Sequence, residues 1–212
     1  MRREQVRALV LAGGLVGWSA TAGLDVPGRR HPLLAATLSA VLVALTRAPL
    51  GLRPPALSAG VRWGSAAAGV VAVGVAAAAV HPRVRAAMAD REVPDPPVRW
   101  LALDIPVGTV WSEEAAYRGA LASVAADAFG QRGGRLVQAA AFGLSHIHDA
   151  RVAGESVVPI VLVTGAAGWL FGWLAHRSGS LAAPMLAHLA TNEAGAIAAL
   201  AVQACRRSAP AR

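Results

Sequence analysis

The chain has 212 residues, of which 55% are hydrophobic and only 15% are charged, whereas soluble domains carry about a quarter charged residues. This depletion of charge argues against an ordinary soluble domain. The net charge of +8 is the difference between 20 basic residues, all of them arginine, and 12 acidic residues. They are scattered between apolar segments, as is typical of arginines that face lipid headgroups, so nucleic acid is not an expected partner.

Three apolar stretches make up the N-terminal third of the chain, near residues 8–24, 32–52 and 60–80. Each is close to the ~20 residues that a transmembrane helix needs. The first stretch follows an arginine-rich start and contains Ala20-Thr-Ala22, which resembles a signal-peptidase site. A cleaved signal peptide is therefore the alternative to a permanent first transmembrane helix. Residues 1–82 are interpreted as a set of N-terminal transmembrane helices.

Residues 83–98 interrupt the apolar pattern with charged residues followed by Pro94, Pro96 and Pro97. This composition predicts an exposed loop or a surface helix, because prolines and charges end buried helices. The segment divides the N-terminal unit from a C-terminal membrane unit, residues 99–205, which contains all the polar clusters of interest. Residues 206–212 are interpreted as a basic tail.

The C-terminal unit begins with apolar residues from Trp100 to Phe129, interpreted as one long helix or as two pieces broken near Pro106. A turn is predicted at residues 131–135, and further apolar segments cover about 136–148, 156–176 and 181–204. No alternating pattern of a β-sheet is found. The predicted fold is an all-α, polytopic membrane helix bundle of seven or eight transmembrane helices.

Glu113, Glu114 and Arg118 lie inside this apolar sequence. An ionised side chain at mid-bilayer costs at least ~2.5–3.5 kcal/mol on insertion scales, so such a group is a candidate for function. Residues four apart share a helix face, so Arg118 can neutralise Glu114. Glu113 is then left without a partner, and an unpaired buried carboxylate can act as a general base toward water.

Two further polar clusters interrupt later apolar segments. His146 lies one turn after Phe142, and His188 lies one turn before Asn192. An imidazole and an amide on one face can donate hydrogen bonds to a developing oxyanion. Taken one at a time, these residues could equally be packing or interhelical hydrogen-bonding groups.

The order Glu-Glu-x-x-x-Arg, Phe-x-x-x-His and His-x-x-x-Asn resembles the three motifs of the CAAX protease and bacteriocin-processing family, called CPBP or Abi. Its members are intramembrane endopeptidases related to the type II CAAX prenyl endopeptidase. The resemblance covers roughly residues 97–204 and includes Gly179-Ser-Leu181 before the third motif. Tyr117 departs from it, since the family more often has phenylalanine at this position.

The resemblance implies an endopeptidase, often classed as a metalloprotease, in which Glu113 and His146 activate a water molecule. It implies that His188 and Asn192 stabilise the oxyanion, and that Glu114 and Arg118 support the site. No His-Glu-x-x-His zinc motif is present, so the cofactor is left open between none and a divalent metal such as zinc. The implied partners are a membrane-associated peptide or protein substrate and the lipid bilayer. The arginine bias favours a bacterial source, and hence the bacterial inner (cell) membrane with several crossings.

Two other functions are compatible with a polar core in a membrane bundle. One is a catalytically silent membrane scaffold or bacteriocin-immunity-type protein, against which the presence of every motif residue argues. The other is a proton-coupled transporter, in which buried glutamate and histidine would relay protons. The sequence lacks the repeat with paired broken helices that many transporters show.

Overall fold

The computed structural model describes residues 1–29 and 31–208, and within these ranges every regular element is helical. An all-helical architecture agrees with the predicted fold class. It also agrees with the physics of a bilayer, where each backbone polar group must find its partner inside the protein.

The N-terminal unit contains three long helices: α1 (Arg3–Ala20), α2 (Pro32–Thr46) and α3 (Ala56–Ala79). The ring of His31 caps α2 by accepting a 3.3 Å hydrogen bond from the backbone N–H of Leu33. The second predicted segment, 32–52, is too long. Arg47 adopts a left-handed conformation with φ 52°, and Pro49 follows it, so the helix ends at Thr46.

A short surface helix, α4 (Pro82–Asp90), occupies the first part of the charged segment. The side-chain amide of Gln203 holds it in place by donating to the backbone oxygens of Met88, at 3.1 Å, and Arg91, at 2.8 Å. Gln203 belongs to the last helix, which extends to Ser208. Residues 206–208 of the predicted basic tail are therefore helical.

The segment after α4 forms one continuous helical run. It consists of α5 (Pro97–Arg99), two stretches with the wider π-helical hydrogen bonding, π1 (Trp100–Trp111) and π2 (Glu114–Leu121), and the first residues of α6 (Ala122–Ser145). Of the two interpretations, the single long helix is the observed one. Pro106 lies inside π1, where the wider register accommodates a ring that would crowd a carbonyl of a regular α-helix.

The chain reverses at Gly130, whose φ of 71° and ψ of 168° interrupt α6. The turn predicted at residues 131–135 is wrong, because these residues are already helical. Glycine tolerates this backbone conformation and other residues rarely do. A single glycine therefore replaces the longer turn that the sequence Gln131-Arg-Gly-Gly-Arg suggested.

Three helices complete the fold: α7 (Ile147–Val152), α8 (Val157–Ser178) and α9 (Ala182–Ser208). The long helices run between two ends of the bundle. The first, here called the Gly130 end, also holds the link from α2 to α3, where the N–H of Leu181 donates to the oxygen of Leu50 at 2.8 Å. The second, the His146 end, holds the link from α1 to α2, where Gly23 packs against the ring of His148.

Small residues allow the helices to approach closely. One core cluster joins α1, π2 and α6 and is rich in alanine: Ala8, Ala12, Leu15, Ala116, Tyr117, Leu121, Ala125, Ala141 and Phe142. Helices α6 and α8 meet at Gly143, where an added Cβ would lie 2.5 Å from the backbone oxygen of Val161. Close packing through small residues is how helices associate in membranes, where no hydrophobic force drives them together.

Three of the described helices, α3, α8 and α9, are long and apolar enough to cross a membrane. Their outer surfaces carry exposed valine and leucine side chains, including Val70, Val73, Val158, Leu162 and Val163. A soluble protein rarely exposes so many large apolar side chains together. These surfaces suit contact with lipid, and the protein is a membrane protein.

The contact at Gly143 leads to a prediction for stability. We expect Gly143→Ala to lower the free energy of unfolding by about 1–3 kcal/mol, because the new methyl group must push α8 away. The matched control is Gly69→Ala in α3, where an added Cβ meets no atom within 4 Å. This control should be neutral or stabilising, since alanine favours helix over glycine. Unfolding of both variants in detergent micelles checks the prediction, and equal stability of the two would contradict it.

Candidate active site

Segment π2 places the charged residues of the first motif at the centre of the bundle. Every residue of π2, from Glu114 to Leu121, is buried, and Glu113 immediately precedes it. The packing comes from α1, α2 and α6, which lie against this segment. Long π-helical stretches are rare and occur often at functional sites.

Glu114 and Arg118 form a buried ion pair, with 3.2 Å between Oε1 of the carboxylate and Nη1 of the guanidinium. Both side chains are 0% exposed. The guanidinium carbon lies 3.9 Å from the centre of the Phe142 ring and 5.2 Å from that of Phe171. The negative faces of these rings attract a cation. The aromatic rings and the carboxylate together therefore compensate the charge of Arg118.

His188, on α9, contacts both glutamates. Its Nδ1 lies 2.7 Å from Oε1 of Glu114, and its Nε2 lies 3.8 Å from Oε2 of Glu113. Its ring stacks on Phe171 with 5.2 Å between ring centres. Because a carboxylate accepts and cannot donate, Nδ1 carries the proton toward Glu114. His188 thus links the buried carboxylate to the second one.

Glu113 differs from its neighbour in its access to solvent. Its side chain is 30% exposed, and it lines a cavity of about 470 Å³. The walls come from α1, α2, π1, π2 and the region around Ser145. The cavity extends toward the His146 end, where Arg29 and Asp149 line it. Of the two glutamates, only Glu113 lines this cavity.

His146 caps the end of α6, next to Ser145, and is not itself among the residues that line this cavity. Its Nδ1 is 2.8 Å from the backbone oxygen of Phe142 and 3.3 Å from Oγ of Ser145, a residue that lines the cavity. Donation from Nδ1 to the carbonyl leaves Nε2 as the acceptor of the neutral ring. The Phe142 ring connects the histidines, at 4.7 Å from the His146 ring and 6.2 Å from the His188 ring.

Asn192 uses its amide within its own helix, donating a 3.2 Å hydrogen bond to the backbone oxygen of His188. The structure thus brings together Glu113, Glu114, Arg118 and His188 by direct contact. His146 is linked to this group indirectly, because the ring of Phe142 packs against both His146 and His188. Asn192 is linked to it by the hydrogen bond from its amide to the backbone oxygen of His188.

Sequence reasoning did not assign roles to the aromatic residues of the site. Phe142 was quoted only as part of a motif, yet its ring contacts Tyr117, His146, His188 and Arg118. Phe171 lies on α8, outside the three motifs. The sequence does give a signal for Phe142, since it lies one turn before His146, but it gives none for Phe171.

A second cavity, of about 390 Å³, lies at the Gly130 end and is lined by Arg118, Arg135 and Gln138, among other residues. Gln138 is fully buried, and its amide has no hydrogen-bond partner among the described residues. The wall also carries Asp127, so the charges of Asp127 and Arg135 oppose each other. Neither glutamate of the first motif lines this cavity.

Residues 95–194 match the family model described as type II CAAX prenyl endopeptidase Rce1-like. The matched segment contains Glu113, Glu114, Arg118, His146, His188 and Asn192. No curated protein and no solved structure matches the chain.

The buried ion pair is expected to affect the free energy of unfolding more than an exposed ion pair does. We expect Arg118→Met to reduce the free energy of unfolding by about 3–5 kcal/mol, because the charge of Glu114 is left buried without its partner. Adding Glu114→Gln should restore part of this loss. The control is Arg206→Met, which removes an exposed pair with Asp90, whose side chains are 69% and 74% exposed. Such pairs contribute about 0–1 kcal/mol. Unfolding in micelles distinguishes these values, and similar losses for both arginines would refute the assignment.

Proposed function

We propose that this protein is an intramembrane endopeptidase of the CAAX protease (CPBP) family, because residues 95–194 match the Rce1-like family model. It hydrolyses a peptide bond of a membrane-associated protein by means of a water molecule activated by Glu113 and His146. One observation carries the assignment of roles within the site. Glu113 lines the cavity, whereas Glu114 is fully buried and paired with Arg118.

The first step is the attack of water on the scissile carbonyl carbon. Glu113 accepts a proton from the water as the oxygen–carbon bond forms, and it later delivers this proton to the leaving amine. His146 assists by accepting a hydrogen bond from the water at Nε2. This nitrogen is free to accept because Nδ1 donates to the backbone oxygen of Phe142. Apo sites often show longer distances between such groups than the complex with substrate does, so the two need not touch before substrate binds.

The negative charge that develops on the carbonyl oxygen requires donors. In this proposal His188 donates from Nε2, the nitrogen that faces Glu113 at 3.8 Å. Donation from both ring nitrogens uses the doubly protonated form of the ring. Asn192 fixes the turn of α9 that carries His188, and it reaches the oxyanion only if its amide leaves the helix backbone.

Glu114 and Arg118 are proposed as positioning residues. The carboxylate of Glu114 orients the ring of His188 through the 2.7 Å contact to Nδ1. Arg118, whose side chain has no exposed surface, compensates the charge of that carboxylate. This arrangement lets the site hold several ionisable groups inside an apolar bundle.

The donor set does not fit a zinc site. The described residues contain no group of three or more histidine, cysteine, aspartate or glutamate side chains placed to hold a metal ion. Zinc needs at least three protein ligands in catalytic sites, and both ring nitrogens of His188 face glutamates. The proposed mechanism therefore relies on side chains alone.

We also propose that the bundle crosses the bacterial cell membrane seven times. The passes are α1, α2, α3, the run from Pro97 to Phe129, the helix after Gly130, α8 and α9. Helices α4 and α7 are too short to cross and belong to the His146 end. On this view residues 1–82 are a lipid-embedded N-terminal unit, residues 83–98 a connecting segment, and residues 99–205 the catalytic unit.

The test of this function compares the wild type with Glu113→Gln and His146→Ala, using purified protein and membrane-anchored peptides. We expect the wild type to cleave and Glu113→Gln to lose at least about 100-fold in kcat, the range that general bases contribute. His146→Ala should lose a similar factor. Gly69→Ala serves as the control that keeps activity. Cleavage by Glu113→Gln at the wild-type rate would disprove the assignment.

The absence of a fitting metal site gives a separate prediction. Dialysis of the wild type against 1,10-phenanthroline should leave kcat within about twofold, because proton transfer is assigned to side chains. A zinc metalloprotease assayed in parallel reports that the chelator is active. Loss of activity that returns when zinc is added back would show that this part of the mechanism is wrong.

A further inference from the structure

The hydroxyl of Tyr117 is a buried donor that has Ser19 and Ser145 as polar neighbours but makes no hydrogen bond of good geometry with the described residues. The residue is 4% exposed, and its hydroxyl oxygen makes no hydrogen bond to the described residues. Leaving such a group unsatisfied costs about 1–3 kcal/mol. A buried polar group without a partner calls for an explanation, and a ligand that supplies the missing partner is one.

The location of Tyr117 connects this donor with the proposed chemistry. Tyr117 lines the same 470 Å³ cavity as Glu113, together with Ser112 and Ser145. The hydroxyls of Ser19 and Ser145 lie within hydrogen-bonding range of its phenol oxygen without reaching good geometry, and the charge of Glu113 lies near it. Its hydroxyl is therefore placed beside the space that a substrate would occupy.

The ring of Tyr117 is held in position independently of the hydroxyl. It packs against Phe142 edge to face, with 5.2 Å between ring centres and an angle of 77° between planes, and it belongs to the alanine-rich core cluster. A phenylalanine, the more frequent residue of the family at this position, would provide the same packing. The hydroxyl is thus not required by the fold.

We propose that the Tyr117 hydroxyl binds substrate by donating a hydrogen bond to a peptide carbonyl next to the scissile bond. A neutral acceptor is favoured over a carboxylate or phosphate, because the carboxylate of Glu113 repels an anion in the same cavity. A peptide carbonyl is the neutral acceptor that a protein substrate supplies at every residue. Tyr117 is in this role a determinant of substrate affinity, and the inference rests on the proposed peptidase function.

The first test is Tyr117→Phe, which removes only the hydroxyl oxygen. With a peptide that the wild type cleaves, we expect kcat/KM to fall about 10-fold, mainly through KM, since a net hydrogen bond contributes about that factor. The melting temperature should change little, because the hydroxyl makes no hydrogen bond of good geometry to Ser19 or Ser145. Thr164→Val is the matched control. It removes a hydroxyl that donates to the Ile160 oxygen at 2.7 Å within α8, and its kinetics should match the wild type.

A second test identifies the acceptor. The same peptide is prepared with single amide oxygens near the scissile bond replaced by sulfur, a weaker acceptor. One replacement should impair the wild type several-fold and leave Tyr117→Phe unaffected, because the variant has already lost the bond. Equal effects on both proteins at every position would overturn the inference.

Binding without turnover separates this inference from the proposed function. In the Glu113→Gln background, adding Tyr117→Phe should weaken binding of the unmodified peptide about 10-fold. A wild type that cleaves while Tyr117→Phe retains its KM and affinity would overturn only the role of Tyr117. A wild type that neither cleaves nor binds any membrane-anchored peptide would overturn the peptidase proposal and the inference with it.

Discussion

The ion pair of Glu114 and Arg118 is the constraint around which the bundle is organised. Two opposite charges with no exposed surface are stable in an apolar interior only if nearby groups replace the water that they lose. The rings of Phe142 and Phe171 and the imidazole of His188 provide part of this replacement, while the guanidinium nitrogens of Arg118 and Oε2 of Glu114 make no hydrogen bond to the described residues. Helices π2, α6, α8 and α9 must therefore meet at one point, and their close packing follows from this requirement.

Small residues make that meeting possible. Gly143, Gly165 and Gly168 place the backbones of α6 and α8 close together, and the Phe142 ring fills the space beside Gly168. Side-chain volume is thus concentrated in a few aromatic rings, while alanine and glycine occupy the surrounding contacts. In a membrane, where van der Waals packing drives association, this distribution fixes the position of the charged groups.

The sequence predicted the helical class and most of the residues that meet in the polar centre. Hydrophobic periodicity and the cost of buried charge are local properties, so they can be inferred from the sequence alone. The register of contacts could not be inferred in this way. His188 reaches both glutamates, while Asn192 bonds to its own helix. Both contacts depend on how α9 is rotated against π2. Likewise, the reversal at Gly130 depends on one backbone conformation that glycine permits without requiring it.

In the proposed seven-pass topology, helix α2, from Pro32 to Thr46, is short for an element that crosses the membrane. At 1.5 Å per residue its 15 residues measure about 22 Å, whereas the hydrocarbon core of a bilayer is roughly 30 Å thick. Lipid next to α2 must become thinner, or polar groups must reach inward, to meet its ends. Because Leu38, Val41 and Leu42 of α2 form part of the wall around Glu113, this adjustment falls on the side of the protein where the cavity lies. A thinner bilayer there would shorten the distance that water and a polar backbone travel from the headgroups to the carboxylate.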